Sequence, residues 1–388
     1  MNTIFSNLPT TIFEVMSQAA RDRQAINLGQ GFPDDPGPED VRAKAAEETL
    51  HGYNQYPSMM GIPELRQSIA DHYARFQGLT LSPQTEVMVT SGATEALAGA
   101  IFGMIEPGDE VVLFQPTYDA YVPLVLRAGG VPRYVALQPP HWTFSEEDLA
   151  KVFNEKTRLV LFNNPLNPSG IVYERSQLEL LASFCERYDA TVVSDEVWEH
   201  LVYDGRRHIS LLELPNMRER TIKIGSAGKI FSLTGWKVGL VVAAPHLMKV
   251  IAKSHQFLTF TTPPNLQVAV AYGLGKDENY FTQMRANFQR SRDLFCKGLV
   301  ERGFPVIPSQ GTYFVNVDIG QLGLHDDVAF CTKLVEHYGV AAIPVSAFYV
   351  QDHVRRVVRF CFAKKDETLN EGLRRLETAV ADFRKGKI

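Results

Sequence analysis

Between residues 86 and 243 the chain alternates short, almost wholly apolar runs with longer amphipathic stretches. Strands covered by helices on both faces need apolar side chains on both faces, so continuous apolar runs are typical of parallel sheets. Helical stretches such as Thr94–Ile105 and Ser176–Tyr188 fall between most of these runs. The pattern predicts a three-layer α/β domain with a mainly parallel sheet. The seven predicted strands are Glu86–Thr90, Glu110–Gln115, Pro132–Leu137, Arg158–Asn163, Ala190–Ser194, Thr221–Gly225 and Val238–Ala243.

The two ends of the chain follow different patterns. Thr10–Arg23 and Phe281–Arg302 have helical spacing of apolar residues, and short strands are predicted near Gly311–Val317 and Val354–Phe362. Asp366 can cap a last helix. Its apolar positions are Leu369, Leu373, Leu376, Val380 and Phe383. The C-terminal part is therefore expected to be a smaller α+β domain.

Length supports a division into parts, because 388 residues and 43.4 kDa suit two domains better than one. We expect an N-terminal segment, residues 1–45, that packs on the small domain. A large domain would follow at residues 46–280 and the small domain at residues 281–388, with their boundary between residues 275 and 290.

Charge and composition exclude several classes of partner. The formal charge is 39 − 44 = −5, which does not favour nucleic acid or an anionic membrane surface. Four widely spaced cysteines without C-x-x-C spacing predict reduced thiols, with no disulfide framework and no metal site. No apolar run approaches the roughly 18 residues of a membrane span, and the first residues lack a basic patch followed by a long apolar core. We expect a cytoplasmic protein.

Polar and small residues follow the predicted strands, and ligands bind at the carboxyl ends of parallel strands. Ser91, Gly92, Ala93 and Thr94 open a helix whose free N–H groups can hold a phosphate. The alternative is simple helix capping. Tyr118 follows the second strand, where it could stack on a planar ring or pack in the core.

Two further strand ends carry an amide and a carboxylate. Asn167 lies in a rigid turn with two prolines, where its amide can donate to a carboxylate or a ring oxygen, or form an Asx-turn. Asp195 directly follows a buried strand, which is costly for a carboxylate without a partner. A protonated pyridine nitrogen is a suitable partner. The alternative is a helix N-cap.

Lys229 follows the sixth strand after a small-residue turn, with Ser226 three positions before it and Lys237 eight positions after it. A lysine beside anion-binding groups is placed to form a Schiff base with a phosphorylated aldehyde. Taken alone, it could equally be a surface lysine. Together, the strand ends offer a phosphate seat, a ring stacker, a pyridinium partner, an amide and a nucleophile. Those are the parts of a pyridoxal phosphate site.

The motifs in this order resemble the pyridoxal-phosphate-dependent aminotransferases of class I/II. The chain is most similar to kynurenine aminotransferase/glutamine transaminase K and to bacterial methionine aminotransferases. The resemblance implies the aspartate aminotransferase-like fold type I, with a mostly parallel seven-stranded sheet and a smaller α+β domain. It is carried by Asn27-Leu-Gly-Gln-Gly-Phe-Pro-Asp34, Asn54-Gln-Tyr56, Asn164-Pro-Leu-Asn-Pro-Ser-Gly170, Ser194-Asp-Glu-Val197, Tyr203-Asp-Gly205, Ile224-Gly-Ser-Ala-Gly-Lys229, Thr234–Gly239, Ile343–Tyr349 and Val358–Lys364.

The resemblance also implies a role for each site residue. Lys229 would form the Schiff base and move protons, and Asp195 would pair with the pyridine nitrogen. Asn167 would bond the O3′ region of the cofactor and the substrate carboxylate. Arg359 would bind the α-carboxylate through a two-pronged contact. The cofactor's phosphate would be held by Gly92, Ala93, Thr94, Ser226 and Lys237.

The remaining implied contacts involve the ring, the substrate and a second subunit. Tyr118 would stack on the ring, and Gly31 would border the substrate. Tyr56 would reach the phosphate in the neighbouring subunit, so the resemblance implies a homodimer with shared active sites. The side-chain pocket would be lined by Phe13, Tyr118, Phe348 and, from the partner subunit, Phe260.

The chain departs from the family at Trp198. The residue three positions after the pyridine-pairing aspartate is normally a tyrosine that donates to O3′, and here it is tryptophan. Either the indole N–H replaces the phenol or the contact is lost. Alternatively, Trp198 points away and packs elsewhere.

The activity that follows is a ping-pong aminotransferase that moves an amino group from an L-amino acid to a 2-oxo acid. Lys229 would remove the α-proton and return it to the cofactor. An apolar pocket favours donors such as methionine, phenylalanine, tyrosine, glutamine and kynurenine. One alternative is a cysteine-S-conjugate β-lyase on the same fold. Another is a non-enzymatic regulator, but such a protein usually carries an added DNA-binding region, and the first predicted strand and helix begin too early for one. A nicotinamide dehydrogenase ranks last, because no strand–G-x-G-x-x-G–helix unit is present.

Overall fold

A computed structural model describes residues 1–351 and 354–386 of the chain. Residues 352, 353, 387 and 388, which fall in the predicted small domain, lie outside the described residues. The strands are β1 (Ile26–Asn27), β2 (Val87–Thr90), β3 (Glu110–Gln115), β4 (Val131–Ala136), β5 (Thr157–Asn163), β6 (Thr191–Asp195), β7 (Thr221–Ser226), β8 (Gly239–Ala243), β9 (Val306–Ile307), β10 (Phe314–Asp318), β11 (Val340–Ala341), β12 (Ile343–Pro344) and β13 (Val357–Cys361).

Helices surround these strands. They are α1 (Thr3–Ser6), α2 (Ile12–Asp22), α3 (Glu39–His51), α4 (Pro63–Gln77), α5 (Ala93–Met104), α6 (Tyr121–Arg127), α7 (Glu146–Ala150), α8 (Arg175–Arg187), α9 (Ala227–Ile230), α10 (Pro245–Leu258), α11 (Pro264–Leu274), α12 (Glu278–Glu301), α13 (Asp327–Tyr338), α14 (Asp366–Arg375) and α15 (Ala379–Arg384). Within the described residues, no helix combines the length and apolar character needed to cross a bilayer.

The seven predicted strands form one sheet in the order β2-β8-β7-β6-β5-β3-β4. Only β8 runs antiparallel to its neighbours, so the prediction of a mostly parallel sheet is confirmed. Because β8 is reversed, it begins at the edge where β7 and β2 end. The chain between β7 and β8 therefore stays at the carboxyl edge of the sheet.

Both faces of this sheet are buried, as the apolar runs require, except at the edge strand β4, where Val131 and Arg133 are exposed. Along β3, Val111 and Leu113 face one hydrophobic cluster, whereas Val112 and Phe114 face another. Successive side chains of a strand point to opposite faces, so alternate residues enter different cores. The uninterrupted apolar pattern is explained by this division.

The C-terminal part contains a second, antiparallel sheet in the order β12-β13-β10-β9. A separate parallel pair joins β1, near the N-terminus, to β11. The N-terminal segment thus contributes a strand beside the C-terminal elements. An isolated bridge between Val202 and Gly311 links the segment after β6 to the approach of β10.

The prediction of one last helix capped by Asp366 is wrong. The structure has two helices, α14 and α15, separated at residues 376–378. Asp366 is the first residue of α14, and its carboxylate binds the Arg290 guanidinium at 2.8 Å instead of capping the helix. The five predicted apolar positions are all buried. Apolar periodicity indicates which face of a helix is buried. It does not reveal a break between two helices when both bury the corresponding face, as α14 and α15 do.

Candidate active site

A cavity of about 170 Å³ opens at the carboxyl edge of the large sheet. It brings together all ten residues predicted to bind the cofactor from within the same chain. Its lining is Gly92, Ala93, Thr94, Leu97, Tyr118, Asn163, Asn167, Asp195, Val197, Trp198, Ser226, Lys229, Thr234 and Lys237. A larger groove of about 640 Å³, between residues 33–38 and α12, contains none of the ten.

One end of the cavity is built to receive an anion. Gly92, at φ +82°, precedes α5, whose first turn presents backbone N–H groups to the cavity. The positive φ favours glycine at this position, and a Cβ there would lie 2.9 Å from Lys237 Cε. Lys237 Nζ is 3.5 Å from Thr94 Oγ1. A helix N-terminus and a lysine therefore converge, with Ser226 at the end of β7.

Asp195 lies deep in the cavity at the end of β6. Its Oδ2 accepts a hydrogen bond from the Tyr121 hydroxyl at 2.6 Å, and its Oδ1 accepts one from the Val197 amide at 3.3 Å. Burial raises the pKa of Asp195 to about 6, against the effect of these hydrogen bonds. Across residues 1–351 and 354–386, no lysine or arginine forms a salt bridge with it. A cationic ring nitrogen would complete the environment of this carboxylate.

Lys229 lies in α9, immediately after β7. Its Nζ is 2.9 Å from the Tyr313 hydroxyl and 3.4 Å from the Gly31 carbonyl oxygen. Burial lowers the pKa of Lys229 to about 8, although the nearby Cys361 and Asp195 act in the opposite direction. A lysine with such a pKa is partly neutral near physiological pH, as a nucleophile or general base must be.

Trp198 lines the cavity, so it does not point away from the site. Its ring meets the Tyr313 ring edge to face, with centroids 4.4 Å apart, and lies 5.5 Å from the Phe314 ring. The Lys229 ammonium is 4.7 Å from the Trp198 ring centroid. Trp198 therefore packs against the rings of Tyr313 and Phe314 beside Lys229, and it also lines the cavity.

Arg359 reaches the site from β13 in the small sheet. Its Nη1 donates to Asn167 Oδ1 and its Nη2 to the Gly29 carbonyl, each at 2.9 Å. Its Cζ stacks 3.9 Å from the Phe314 ring centroid. Burial lowers the pKa of Arg359 to about 10. Its Nε has no hydrogen-bond partner in the described part of the chain, so this buried cation can still receive a carboxylate.

The predicted substrate residues divide into two groups. Phe13 and Phe348 meet edge to face at 5.6 Å, each 5.3 Å from the Arg359 guanidinium. Gly31 lies beside Lys229, and a Cβ there would be 2.8 Å from Phe314 Cζ. In contrast, Tyr56 and Phe260 pack on each other at 5.7 Å, outside the cavity of their own chain. Tyr56 is 80% exposed.

Several contacting residues were missed from the sequence. Tyr121 follows the predicted ring stacker Tyr118 by three residues, a helical spacing that could have indicated its position. Tyr313 and Phe314 precede or begin a strand in another part of the chain, and no local pattern connects them to Lys229 or Arg359.

The residues of the cavity fit pyridoxal phosphate at three separate points. The glycine-lined helix start suits the phosphate, and the buried carboxylate of Asp195 suits a protonated ring nitrogen. Lys229 has the lowered pKa that an amine requires to bond an aldehyde. These groups belong to different strands and converge only because the strands end at one edge.

Known proteins are similar to this chain along nearly its whole length. A family model for aminotransferase class I and II matches residues 23–376. The methionine aminotransferase of Escherichia coli (strain K12) is 39% identical over 369 residues, covering 95% of this chain and 96% of the relative. Human kynurenine–oxoglutarate transaminase 1 is 38% identical over 386 residues, with coverage of 90% and 91%.

A solved structure agrees with the fold. The N-succinyldiaminopimelate aminotransferase of Mycobacterium tuberculosis superposes with a TM-score of 0.94 at 40% identity, covering 97% of this chain and 99% of that chain. The predicted aspartate aminotransferase-like fold is therefore confirmed. The chain belongs to the class I and II aminotransferases and is a pyridoxal-phosphate-dependent transaminase that acts on amino acids and 2-oxo acids.

Proposed function

We propose that this transaminase takes amino groups from L-amino acids with apolar, aromatic or sulfur-containing side chains. The observation that carries this proposal is the aromatic enclosure of Arg359 by Phe13, Phe314 and Phe348. An α-carboxylate held on the guanidinium would place the donor's side chain beside these rings. Apolar surface at this position favours an apolar side chain over a second carboxylate.

The roles of the residues follow from their surroundings. Bound pyridoxal phosphate supplies an aldehyde that accepts amino groups and a ring that withdraws electrons. We assign Lys229 to hold the cofactor and, when free, to take the α-proton and return it. Asp195 would keep the ring nitrogen protonated. Tyr121 steadies that carboxylate through its 2.6 Å hydrogen bond.

The substrate end depends on Arg359 and Asn167. The guanidinium already donates to Asn167 Oδ1 at 2.9 Å, which leaves the Asn167 amide nitrogen as a donor toward the cavity. We assign this pair to orient the α-carboxylate. We assign Gly92, Ala93, Thr94, Ser226 and Lys237 to the phosphate and Tyr118 to the ring, because all six line the cavity.

A donor panel tests the substrate proposal. Methionine, phenylalanine, glutamine, kynurenine and aspartate are supplied in turn with several 2-oxo acids, and the kcat/KM of each pair is measured. N-succinyldiaminopimelate, after which the mycobacterial relative is named, belongs in the same panel. We expect the apolar and aromatic donors to exceed aspartate by at least about tenfold, or 1.4 kcal/mol. Equal values for aspartate and methionine would contradict the proposal.

The relatives do not favour the β-lyase alternative, since they are named as aminotransferases. A cysteine conjugate incubated without a 2-oxo acid measures any such activity directly. Sustained release of pyruvate at rates above those of transamination would reverse this preference.

We also propose a homodimer whose two sites each use residues of both subunits. Tyr56 and Phe260 support this, because they form an exposed aromatic pair that lies outside the cavity of their own chain. Exposed aromatic groups are enriched at protein interfaces. Tyr56 would complete the phosphate seat of the partner, and Phe260 its side-chain pocket.

Mixing two inactive variants tests the shared site. Lys229→Ala and Tyr56→Ala subunits are dissociated, mixed and reassociated. In a hybrid dimer, one site carries both changes and the other carries neither, so activity should return above that of either parent. Failure to recover activity in hybrids that have demonstrably formed would exclude Tyr56 from the partner's site.

The division into residues 1–45, 46–280 and 281–388 and a cytoplasmic location also stay proposals. Limited proteolysis tests the division through the positions of the first cuts. Cell fractionation tests the location.

A further inference from the structure

The amine of Lys229 contacts a tyrosine outside the cavity lining. Lys229 Nζ donates to the Tyr313 hydroxyl oxygen at 2.9 Å, and this hydroxyl donates to the Gly31 carbonyl. Tyr313 is fully buried and does not line the cavity. Burial raises its pKa well above the usual value, so the phenol remains protonated. Its hydroxyl contacts Lys229 and the Gly31 carbonyl, so we expect Tyr313 to act on bound molecules through Lys229.

The backbone before Tyr313 is held in an unusual conformation. Thr312 has a φ of +63°, which is rare for a β-branched residue. Its N–H donates to the Leu201 carbonyl at 2.9 Å, and its own carbonyl accepts from the Tyr203 hydroxyl. Both partners belong to the segment that follows Asp195 and Trp198. Strained backbone of this kind persists only where its surroundings hold it.

Aromatic rings fix the phenol from the sides. The Trp198 ring stands at 85° to the Tyr313 ring, with centroids 4.4 Å apart, and the Phe314 ring lies 5.0 Å away. Edge-to-face contacts at these distances are favourable and directional. The tryptophan that replaces the family's usual tyrosine thus packs against Tyr313.

The contacts of the amine determine where its lone pair lies. A neutral lysine has two N–H groups and one lone pair. Its two N–H groups can be directed to Tyr313 Oη at 2.9 Å and to the Gly31 oxygen at 3.4 Å. These acceptors leave the lone pair without a protein partner. The nitrogen is then free to accept a proton from a substrate in the cavity.

We propose that Tyr313 is a positioning residue that orients the free amine of Lys229 for proton transfer, with Trp198 and Thr312 fixing the phenol. In this step the α-C–H bond breaks, and the proton becomes the third N–H of Lys229. The electron pair of that bond stays with the substrate's α-carbon, from which the ring of bound pyridoxal phosphate would withdraw it. The amine later gives this proton back. The proposal rests on the role of Lys229 given above and adds a residue that never touches the substrate.

The test compares Tyr313→Phe with Tyr173→Phe. Tyr173 is a matched control, because it is also buried and its hydroxyl donates to a backbone carbonyl, that of Trp142, at 3.1 Å. We expect kcat for the best donor to fall by roughly one to two orders of magnitude in Tyr313→Phe. The deuterium isotope effect with an α-deuterated donor should rise, because proton transfer becomes slower. Tyr173→Phe should change neither quantity.

A second readout does not depend on activity. The cofactor-free protein is acetylated with acetic anhydride at a series of pH values, and modification of Lys229 is quantified by mass spectrometry. Loss of the phenol removes an acceptor of the ammonium and should lower the apparent pKa of Lys229 by about half a unit to one unit. An unchanged titration together with an unchanged isotope effect would overturn the proposal.

A separate measurement distinguishes a variant that fails to fold from an incorrect proposal about Tyr313. If Tyr313→Phe does not fold, 3-fluorotyrosine is placed at position 313 of the otherwise native chain. Its fluorine resonance should titrate with Lys229 and should stop doing so in a Lys229→Ala background. A fluorine resonance whose chemical shift does not change with the titration of Lys229 would overturn the proposal. Absence of turnover in the native enzyme would instead contradict the proposed function and leave these titrations interpretable.

Discussion

Two lysines six residues apart occupy opposite environments. Lys223 lies within β7, fully buried, and its Nζ binds the carboxylates of Glu196 and of Glu199, the latter at 2.6 Å. Burial alone would lower the pKa of Lys223, but the two carboxylates outweigh burial and raise it. No carboxylate within the described residues forms a salt bridge with Lys229, and burial lowers its pKa to about 8.

This difference indicates that the presence or absence of a carboxylate partner determines whether a buried lysine stays charged or becomes partly neutral. Consecutive residues at the end of β6 separate the two environments, since Asp195 faces the cavity and Glu196 faces Lys223. The paired lysine stays charged and serves the fold. The unpaired lysine is available as the amine that the proposed mechanism requires.

The largest effect should follow the loss of the unpaired lysine. Lys229→Ala removes both the amine that bonds the cofactor and the group that moves the proton. Transamination should fall by roughly 10⁴-fold or more. The absorbance of the bound cofactor at roughly 400–430 nm should also disappear. Turnover and absorbance spectra measure the two outcomes, and undiminished turnover would remove Lys229 from the mechanism.

Loss of the paired lysine should affect stability instead. Lys223→Met leaves two buried carboxylates without their cation, and the free energy of unfolding should fall by about 3–5 kcal/mol. The kcat of the folded fraction should change little. Urea unfolding gives the first quantity, and active-site titration normalises the second.

A compensated variant provides the control for Lys223. Adding Glu196→Gln and Glu199→Gln to Lys223→Met removes the uncompensated charges and should restore part of the lost stability. If Lys223→Met alone costs less than about 1 kcal/mol, the ion pairs contribute no more than a surface pair.

Two histidines beside the paired lysine should make stability depend on pH. His72 and His200 are buried, with their Nε2 atoms 2.7 Å apart. Burial lowers the pKa of His72 well below its usual value and that of His200 to about 3. Their stabilising contribution is therefore complete above the unfolded value near 6.5 and is lost as pH falls toward the folded values. Each histidine should cost about 1.4 kcal/mol per pH unit in that window.

Urea unfolding at pH 7.5, 6 and 5 measures this slope. The double variant His72→Phe/His200→Phe removes both protonation sites while keeping rings in the core, so its slope should be smaller. An equal slope in the native chain and the double variant would assign the pH dependence to other groups.

The smallest expected effect is a difference in acetylation between Lys229 and Lys223, measured in one sample. During acetylation of the cofactor-free protein, Lys229 should react with an apparent pKa of about 8. Lys223 should stay unmodified until the protein unfolds, because it is fully buried and paired. Equal rates for the two lysines would remove the distinction.

The sequence predicts the parts of this molecule that follow local rules. All seven strands of the large sheet were located within two residues, because each is an apolar run between turn signals. Lys229 and Asp195 were found for a related reason, since they directly follow strands.

Long-range contacts escaped prediction. Tyr313, just before β10, reaches Lys229 from more than eighty residues later in the chain, and no periodicity relates the two positions. The break between α14 and α15 also escaped, because the apolar spacing continues across it. The orientation of Trp198 could not be predicted either, because it depends on packing against the Tyr313 ring. Packing across the fold, rather than propensity along the chain, determines such contacts.

The contacts of Arg359 have a consequence for biosynthesis. This arginine lies near the end of the chain, yet it binds the Gly29 carbonyl, from near its beginning, and the Asn167 side chain, from its middle. During synthesis from the N-terminus, the large sheet can form while this arginine has not yet been made. A growing or truncated chain could thus acquire a cofactor seat before it can grip a substrate. If Arg359 has the role proposed for it, chains cut short before this residue would bind the cofactor without turning over a substrate.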